Sequence, residues 1–137
     1  MIGKADQKVI DFFDEFVGAF KSFDGSIVAQ RYFQPFTAIH ADETVQCMFT
    51  SSETASYFQG FLDDYYASGC RSCSYKDLEV VPIGATSVLA TVTWELYDDD
   101  LRIVSSWRES YIIANLNKKL LVISSIDHAS SDDRDIH

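Results

Sequence analysis

The chain has 137 residues, of which 47% are hydrophobic and 14% aromatic, and its formal net charge is −10. These values are typical of one globular domain and exclude a disordered chain. A field of negative sign repels phosphate backbones and anionic lipid, so neither nucleic acid nor a membrane surface is an expected partner.

The cellular location is predicted from what the sequence lacks. Its longest apolar runs, such as residues 120–123, are too short to span a bilayer, and no signal peptide is visible. Three cysteines without a secretory segment indicate free thiols in a reducing compartment. The sequence therefore predicts a cytoplasmic protein.

The first part of the chain has helical periodicity. Apolar residues at the spacing of one helix face predict a helix from about Ala5 to Ser22. The apolar stripe of this helix consists of Val9, Phe12, Phe13, Phe16, Val17 and Phe20. A short second helix is predicted from about Ser26 to Phe33, because a helix usually ends before a proline such as Pro35.

A hairpin and a third helix follow. The segments FTAIHA and TVQCMF read as two short strands around a polar turn at residues 42–43. A capping box from Thr50 to Glu53 predicts that a helix begins near Ser51, and Gly69 is expected to end it. The expected buried side of this helix consists of Tyr57, Phe58, Phe61, Leu62 and Tyr65.

From Ser72 onward the pattern changes to that of strands. Four segments separated by turn residues predict an antiparallel meander: SYKDLEVV, SVLATVTWELY, RIVSSWRESYIIAN and KLLVISSIDHA. The polar end SSDDRDIH is expected to be a frayed tail. The predicted organisation is one domain over residues 1–129 and a tail over residues 130–137.

Hairpin geometry predicts which strand side chains face inward. If residues 99–100 form a two-residue loop, Ala90 lies opposite Glu109. Ala90 belongs to an apolar alternating set, so its face is the buried one. Glu109 is therefore expected to face inward, between Trp107 and Tyr111.

The last strand is oriented by the same reasoning. A short turn at residues 116–117 brings one alternating set to the inner face, namely Leu120, Val122, Ser124, Ile126 and His128. A change of one residue in either loop would reverse this assignment and bring in Asp127 instead.

The order of these elements resembles the nuclear transport factor 2-like superfamily, and within it the bacterial polyketide-cyclase-like (SnoaL-like) proteins. The resemblance spans about residues 5–129 and is carried by DFFDEFVGAF, YFQPFTAIHAD, SSETASYFQGFL and WRESYIIANLNKKLLVISSIDH. It implies an α+β, cone-shaped (cystatin-like) fold, with three N-terminal helices packed on a curved antiparallel sheet and a short hairpin before the third helix. It also implies a pocket at the open end and a homodimer formed through the outer sheet face.

The resemblance implies a site inside the cone. The residues expected to line the pocket are Phe16, Tyr57, Trp94, Trp107, Tyr111 and Ser124. Glu109 is the expected polar anchor, with His128, Tyr111 or Arg31 as its partner. In the dehydratase and cyclase branches, His and carboxylate groups do acid–base work, and His40, Glu109 and His128 would form that set in an enzyme.

Three other patterns in the sequence do not predict a site. Steroid-isomerase chemistry is not expected, because the first strand offers His40 where that branch has an Asp, and the first helix has no Tyr. Cys70 and Cys73 follow a helix instead of starting one, which removes the thiolate stabilisation of a redox site. The aspartates at 98–100 are expected to form a solvated turn without a metal.

The superfamily contains isomerases, cyclases, dehydratases and binding proteins, so the fold does not select a function. The favoured prediction is a domain that binds an apolar or aromatic small molecule without catalysis. The first alternative is a cofactor-independent isomerase, cyclase or dehydratase acting on a polyketide- or steroid-like substrate. The second is a dimeric interaction module. None of the three requires a metal or an organic cofactor.

Overall fold

A computed structural model describes residues 4–128, with side chains from residue 7 onward. Its elements, in chain order, are α1 (Lys4–Lys21), α2 (Gly25–Ala29), β1 (Tyr32–Ile39), β2 (Val45–Met48), α3 (Ser51–Ala67), β3 (Ser72–Ile83), β4 (Ser87–Tyr97), β5 (Ile103–Leu116) and β6 (Lys119–Asp127). The predicted tail at residues 130–137 lies outside the described residues. Within residues 4–128, no helix combines the length and apolarity needed to cross a membrane.

The six strands form one curved, unclosed sheet in the order β2-β1-β6-β5-β4-β3. All neighbours are antiparallel except β1 and β6, which pair in parallel. The α+β architecture, the three N-terminal helices and the hairpin before α3 are thus confirmed. The sheet was predicted to be purely antiparallel, but its β1–β6 pair is parallel. Parallel pairing needs a long crossover connection, and the chain segment between β1 and β6 provides one.

Helix α1 packs on the concave face of the sheet, as its apolar stripe predicts. The ring centroid of Phe13 lies 5.5 Å from that of Tyr75 on β3, 6.1 Å from Trp94 on β4 and 5.6 Å from Tyr111 on β5. Phe13 is fully buried. One helix residue thus contacts three neighbouring strands, and the sheet must curve around it.

The second helix is shorter than predicted. It begins after the N-cap Asp24 and ends at Ala29, whereas Tyr32 already belongs to β1. Tyr32 is 4% exposed and pairs with Val122 of β6. The local helical pattern was overridden by this long-range strand pairing, which no local signal in the sequence reveals.

Helix α2 is attached closely to α3. The Gly25 backbone N–H donates to Gln59 Oε1 at 2.7 Å, and Gln59 Nε2 donates to the Phe23 carbonyl at 3.1 Å. A side chain at position 25 would overlap the Ala55 carbonyl oxygen of α3. A glycine is therefore required for the two helices to approach this closely.

The predicted register between β4 and β5 is displaced by two residues. Val92, and not Ala90, lies opposite Glu109. The connecting loop is longer than two residues, because the Asp98 carboxylate accepts two backbone N–H groups at 2.9 Å and organises residues 98–102. A displacement of two keeps each side chain on its face, so the prediction that Glu109 faces inward is confirmed.

The predicted facing of β6 is wrong beyond its midpoint. Val122 and Ser124 pair with adjacent residues of β5, which leaves one extra residue between them as a β-bulge. Before the bulge, Val122 is buried as predicted. After it, Ser125 and Asp127 occupy the inner face in place of Ser124 and His128, because an inserted residue reverses the alternation.

Candidate functional site

A cavity of about 290 Å³ lies between the concave face of the sheet and the three helices. Half of its twenty lining residues are aromatic: Phe16, Phe20, Tyr32, Tyr57, Phe58, Phe61, Tyr65, Trp94, Trp107 and Tyr111. Three of the twenty lining residues, Ala41, Phe61 and His128, are exposed and mark the mouth of the cavity. The ten lining aromatic residues thus surround an open space instead of filling it.

The structure brings most of the predicted pocket residues together. Five of the six lie on the cavity wall, namely Phe16, Tyr57, Trp94, Trp107 and Tyr111. Ser124 is replaced on the wall by Ser125, as the bulge in β6 requires.

Helix α3 forms one side of the cavity. Its five predicted inward residues, Tyr57, Phe58, Phe61, Leu62 and Tyr65, all line the space. Among these only Leu62 is fully buried, because the others face the open volume. The ring of Tyr65 stacks on Trp107 of β5 with centroids 5.9 Å apart and planes inclined by 28°. This aromatic contact joins the helix to the sheet across the cavity.

Glu109 lies between two aromatic residues because both of them hydrogen-bond its carboxyl group. Trp107 Nε1 donates to Glu109 Oε1 at 2.7 Å, and the Tyr111 hydroxyl forms a further bond to the carboxyl. The Tyr111 oxygen in turn accepts from Trp94 Nε1 at 2.7 Å. The alternation of Trp, Glu and Tyr along one strand face thus places a carboxyl inside an aromatic wall, next to the side chains that hydrogen-bond it.

Asp127 lies directly opposite Glu109 in the β5–β6 ladder, and the two side chains form what we call the carboxyl pair. Burial raises the pKa of Glu109 well above its ordinary value, and the hydrogen bond and charge of Asp127 raise it further. Two neighbouring carboxylates repel each other when both are charged, so Glu109 keeps its proton to a higher pH than an isolated glutamate does. The sequence predicts Asp127 on the inner face only if the register of the hairpins changes by one residue, and the bulge in β6 has that effect.

His40 continues this network on the other side of Asp127. Its Nδ1 lies 3.5 Å from Asp127 Oδ2, and its Nε2 lies 2.8 Å from Gln46 Oε1. The Tyr57 hydroxyl lies 3.3 Å from the same Nε2. The predicted association of His40 with an acid is present, but the acid in contact is Asp127 and not Glu109.

Two of the predicted partners of Glu109 are bonded elsewhere. His128 Nε2 lies 2.8 Å from the Ser110 hydroxyl, on the outer face of the sheet, although the residue borders the mouth of the cavity. Arg31 bonds the Glu15 carboxylate and the Phe12 carbonyl oxygen, both at 3.1 Å. Tyr111 alone among the three predicted partners contacts Glu109.

The short cysteine motif lies away from this cavity. Cys70 and Cys73 are free and buried, and burial raises the pKa of both thiols, that of Cys73 to about 12. Thiolate is the reactive form, so neither side chain is activated for redox chemistry. In the part of the chain that the structure describes, no group of three or more His, Cys, Asp or Glu residues is placed to hold a metal ion.

Comparisons with known proteins agree with this architecture. A family model described as NTF2-like protein (DUF6841) matches residues 6–130. No curated protein was found to match the sequence. Solved structures include a protein of unknown function with a cystatin-like fold from Nostoc punctiforme PCC 73102, at a TM-score of 0.74 and 12% identity, covering 95% of this chain and 96% of the other.

Two further solved structures show the breadth of this fold. A protein described as a calcium/calmodulin-dependent protein kinase II association domain, from Xanthomonas campestris, has a TM-score of 0.69 and 18% identity over 95% of this chain and 90% of its own. ActVI-ORFA from Streptomyces coelicolor, a polyketide-cyclase-like protein, has a TM-score of 0.70 and 12% identity, covering 91% of this chain and 94% of its own. At these identities the likeness concerns the fold alone.

The resemblance predicted from the sequence, including its SnoaL-like branch, is therefore confirmed at the level of the fold. The NTF2-like fold includes both ligand-binding and polyketide-cyclase-like members. Because the family model covers residues 6–130, almost the whole chain, the protein belongs to the NTF2-like family DUF6841.

Proposed function

We propose that this protein binds a compact apolar or aromatic small molecule inside the cavity. The observation that carries the proposal is the coexistence of an aromatic wall with an open volume of about 290 Å³. Protein interiors are normally packed as densely as organic crystals, so an aromatic wall that borders an open volume leaves apolar surface that the fold itself does not bury. A ligand that contacted the surrounding rings would remove this surface from water and gain dispersion contacts.

The size of the cavity limits the ligand. Its volume is near the lower end of the range of about 300–1,000 Å³ that is typical of small-molecule sites. A molecule of one or two fused rings fits such a space, whereas a larger ligand would have to extend through the mouth, past Ala41 and Phe61.

The polar groups of the wall are concentrated on one side. The carboxyl pair comes from β5 and β6 and His40 from the residue directly after β1, whereas α1 and α2 contribute only apolar side chains, namely Phe16, Phe20 and Val28. A ligand with one polar end would therefore bind in a single orientation, with that end against the sheet.

Isothermal titration calorimetry with 1-naphthalenemethanol, a neutral two-ring probe, tests the proposal. Ala41→Trp introduces a large side chain at the mouth, at an exposed turn position where the fold has room for it. Ala85→Trp makes the same change in an exposed turn between β3 and β4, outside this cavity, and serves as the matched control.

The proposal expects the probe to bind the native protein and the Ala85→Trp variant with equal affinity, and the Ala41→Trp variant at least about tenfold more weakly. Equal binding to all three proteins would place the probe elsewhere and contradict the proposal. Absence of binding to the native protein, with this probe and with the two charged naphthalenes described below, would also contradict it.

A second candidate function is proton transfer, favoured by the contact between His40 and Asp127. An imidazole nitrogen 3.5 Å from a carboxylate, beside a second carboxyl that retains a proton, supplies an acid and a base in one cavity. Such a set would exchange the proton next to the carbonyl of a bound ketone, the step shared by isomerases, cyclases and dehydratases.

Incubation of a small aromatic ketone such as 2-tetralone in D₂O, followed by NMR, tests this candidate. Acceleration of hydrogen–deuterium exchange beside the carbonyl, lost in Asp127→Asn and retained in Ala85→Trp, would support it. Exchange at the buffer rate for a ketone that calorimetry shows to be bound would leave a binding function without catalysis.

A further inference from the structure

We propose that the ligand of this cavity is a cation, an aromatic or otherwise apolar amine whose ammonium group lies against the carboxyl pair, Glu109 and Asp127. This inference rests on the proposed binding function and adds the sign of the ligand's charge.

The charges on the cavity wall are predominantly negative. Two carboxyls line it, whereas none of its twenty lining residues is a Lys or an Arg. Among the residues that line the cavity, His40 is the only one whose imidazole is directed at the carboxyl pair, since the ring of His128 is bonded to Ser110 outside. The whole chain adds a net charge of −10, so an anionic ligand would be repelled both at a distance and in contact.

In the part of the chain that the structure describes, no Lys or Arg side chain bonds Glu109. Glu109 receives hydrogen bonds from the neutral donors of Trp107 and Tyr111. The Arg31 guanidinium bonds Glu15 and a backbone carbonyl, and Arg31 does not line the cavity. Buried carboxyl groups are usually balanced by a cation, and here the open space beside them is where one could enter.

An ammonium group matches this arrangement in its donors. A primary ammonium carries three N–H donors and no acceptor, and charged donors form stronger bonds to carboxylates than neutral ones do. It can therefore replace the proton that the carboxyl pair retains. A neutral alcohol provides one donor and leaves the repulsion between the two carboxyls in place.

The rest of the wall also suits a cation. The faces of aromatic rings attract a desolvated cation, and Trp is the best of them. Tyr65 and Trp107 stack on each other close to the carboxyl pair, and the pKa of the Tyr65 hydroxyl is raised by burial and then by the charges of Glu109 and Asp127. The carboxyl pair can therefore bind the ammonium while the aromatic rings of the wall contact its apolar substituent.

The groups that face the carboxyl pair come from four elements and one loop residue: Tyr32 from β1, His40 directly after β1, Tyr57 and Tyr65 from α3, Trp107 and Tyr111 from β5, and Ser125 from β6. The tyrosines stay neutral at neutral pH, because burial raises their pKa values. The proton balance of binding therefore depends on the carboxyl pair and His40. Binding of an ammonium should release a proton, and its affinity should rise with pH until the amine itself loses its charge.

Three naphthalenes of nearly equal shape test the inference by calorimetry at neutral pH: 1-naphthylmethylamine, 1-naphthalenemethanol and 1-naphthoic acid. We expect the amine to bind at least about tenfold more tightly than the alcohol, and the acid more weakly than both. The binding enthalpy of the amine should change with the ionisation enthalpy of the buffer, as proton release requires.

Glu109→Gln should reduce the preference for the amine over the alcohol by about tenfold, with little change in the affinity of the alcohol. Asp127→Asn provides a second variant with the same expectation if the first one does not fold. Glu95→Gln removes one charge from the opposite face of the sheet, where Glu95 contacts Lys76, and controls for net charge.

The possible results separate the two proposals. If the alcohol binds as tightly as the amine, or the variants keep the preference, the ligand is not selected by charge and only this inference is overturned. If the acid binds most tightly, the ligand is an anion and the inference is overturned, whereas the proposed binding function stands. If none of the three probes binds, the proposed function fails and the inference fails with it.

Discussion

The Glu109 carboxyl is expected to make the stability of the native protein depend on pH. Burial, followed by the hydrogen bond and the charge of Asp127, raises its pKa well above the ordinary 4.5. The native state therefore holds a proton that the unfolded chain has released. The contribution of Glu109 to stability is fully present below pH 4.5 and is lost as the pH rises through the native pKa.

The size of the effect follows from proton linkage. One additional proton bound by the native state lowers the free energy of unfolding by up to about 1.4 kcal/mol for each pH unit crossed in this window. A domain of this size is stable by only about 5–15 kcal/mol, so the loss is measurable.

Glu109→Gln removes the titration and keeps the geometry. The amide oxygen can still accept from Trp107 Nε1, and the amide nitrogen can donate to Asp127. We expect the variant to be about as stable as the native protein near pH 4.5 and increasingly more stable than it as the pH rises.

Urea unfolding followed by far-UV circular dichroism, at intervals from about pH 4.5 to about pH 8, measures this difference. Glu79→Gln makes the same chemical change on a side chain that is 74% exposed, and controls for the loss of one negative charge. Parallel stability profiles for the native protein and the Glu109→Gln variant would refute the reasoning. A variant that lost stability at high pH relative to the native protein would refute it as well.

Four further substitutions test the packing, the hydrogen bonding and the helix cap around the cavity by urea unfolding. Gly25→Ala should lower the free energy of unfolding by about 2 kcal/mol or more, because the new methyl group overlaps α3. Gly18→Ala should raise it by about 0.5–1 kcal/mol, because the new methyl group has no neighbouring atom within 4 Å and alanine favours the helix. Equal effects of the two would contradict the close approach of α2 and α3. Tyr111→Phe should cost about 1–3 kcal/mol, because it leaves the buried Trp94 Nε1 without an acceptor; no loss would mean that the bond is not formed. Thr50→Ala should cost about 1 kcal/mol by removing the N-cap of α3, and an unchanged stability would argue against that cap.

Much of the fold was predictable because its signals are local. The spacing of phenylalanines in α1, the capping box that begins α3 and the alternation in β4 each depend on residues within a few turns or one strand of each other. The length of the second helix was not predictable in this way. Tyr32 belongs to a strand because it pairs with Val122, ninety residues later in the chain, and local propensity yields to such pairing. The cytoplasmic location and the homodimer stay predictions.

The site was predictable in part for a geometric reason. Glu109 was assigned to the inner face correctly although its partner residue was wrong, because an error of two residues in register keeps every side chain on its face. The sequence alone thus determined an aromatic wall with one carboxyl in it.

The identity of the second acid was decided by the tertiary structure. A one-residue bulge in β6 turns Asp127 and Ser125 inward and directs His128 to Ser110 on the outer face. The position of such a bulge depends on how β6 fits β5 on one side and β1 on the other, and this fit is set by packing across the whole sheet. Local sequence therefore determined which residue types surround the cavity, and the pairing of distant strands determined which of them meet.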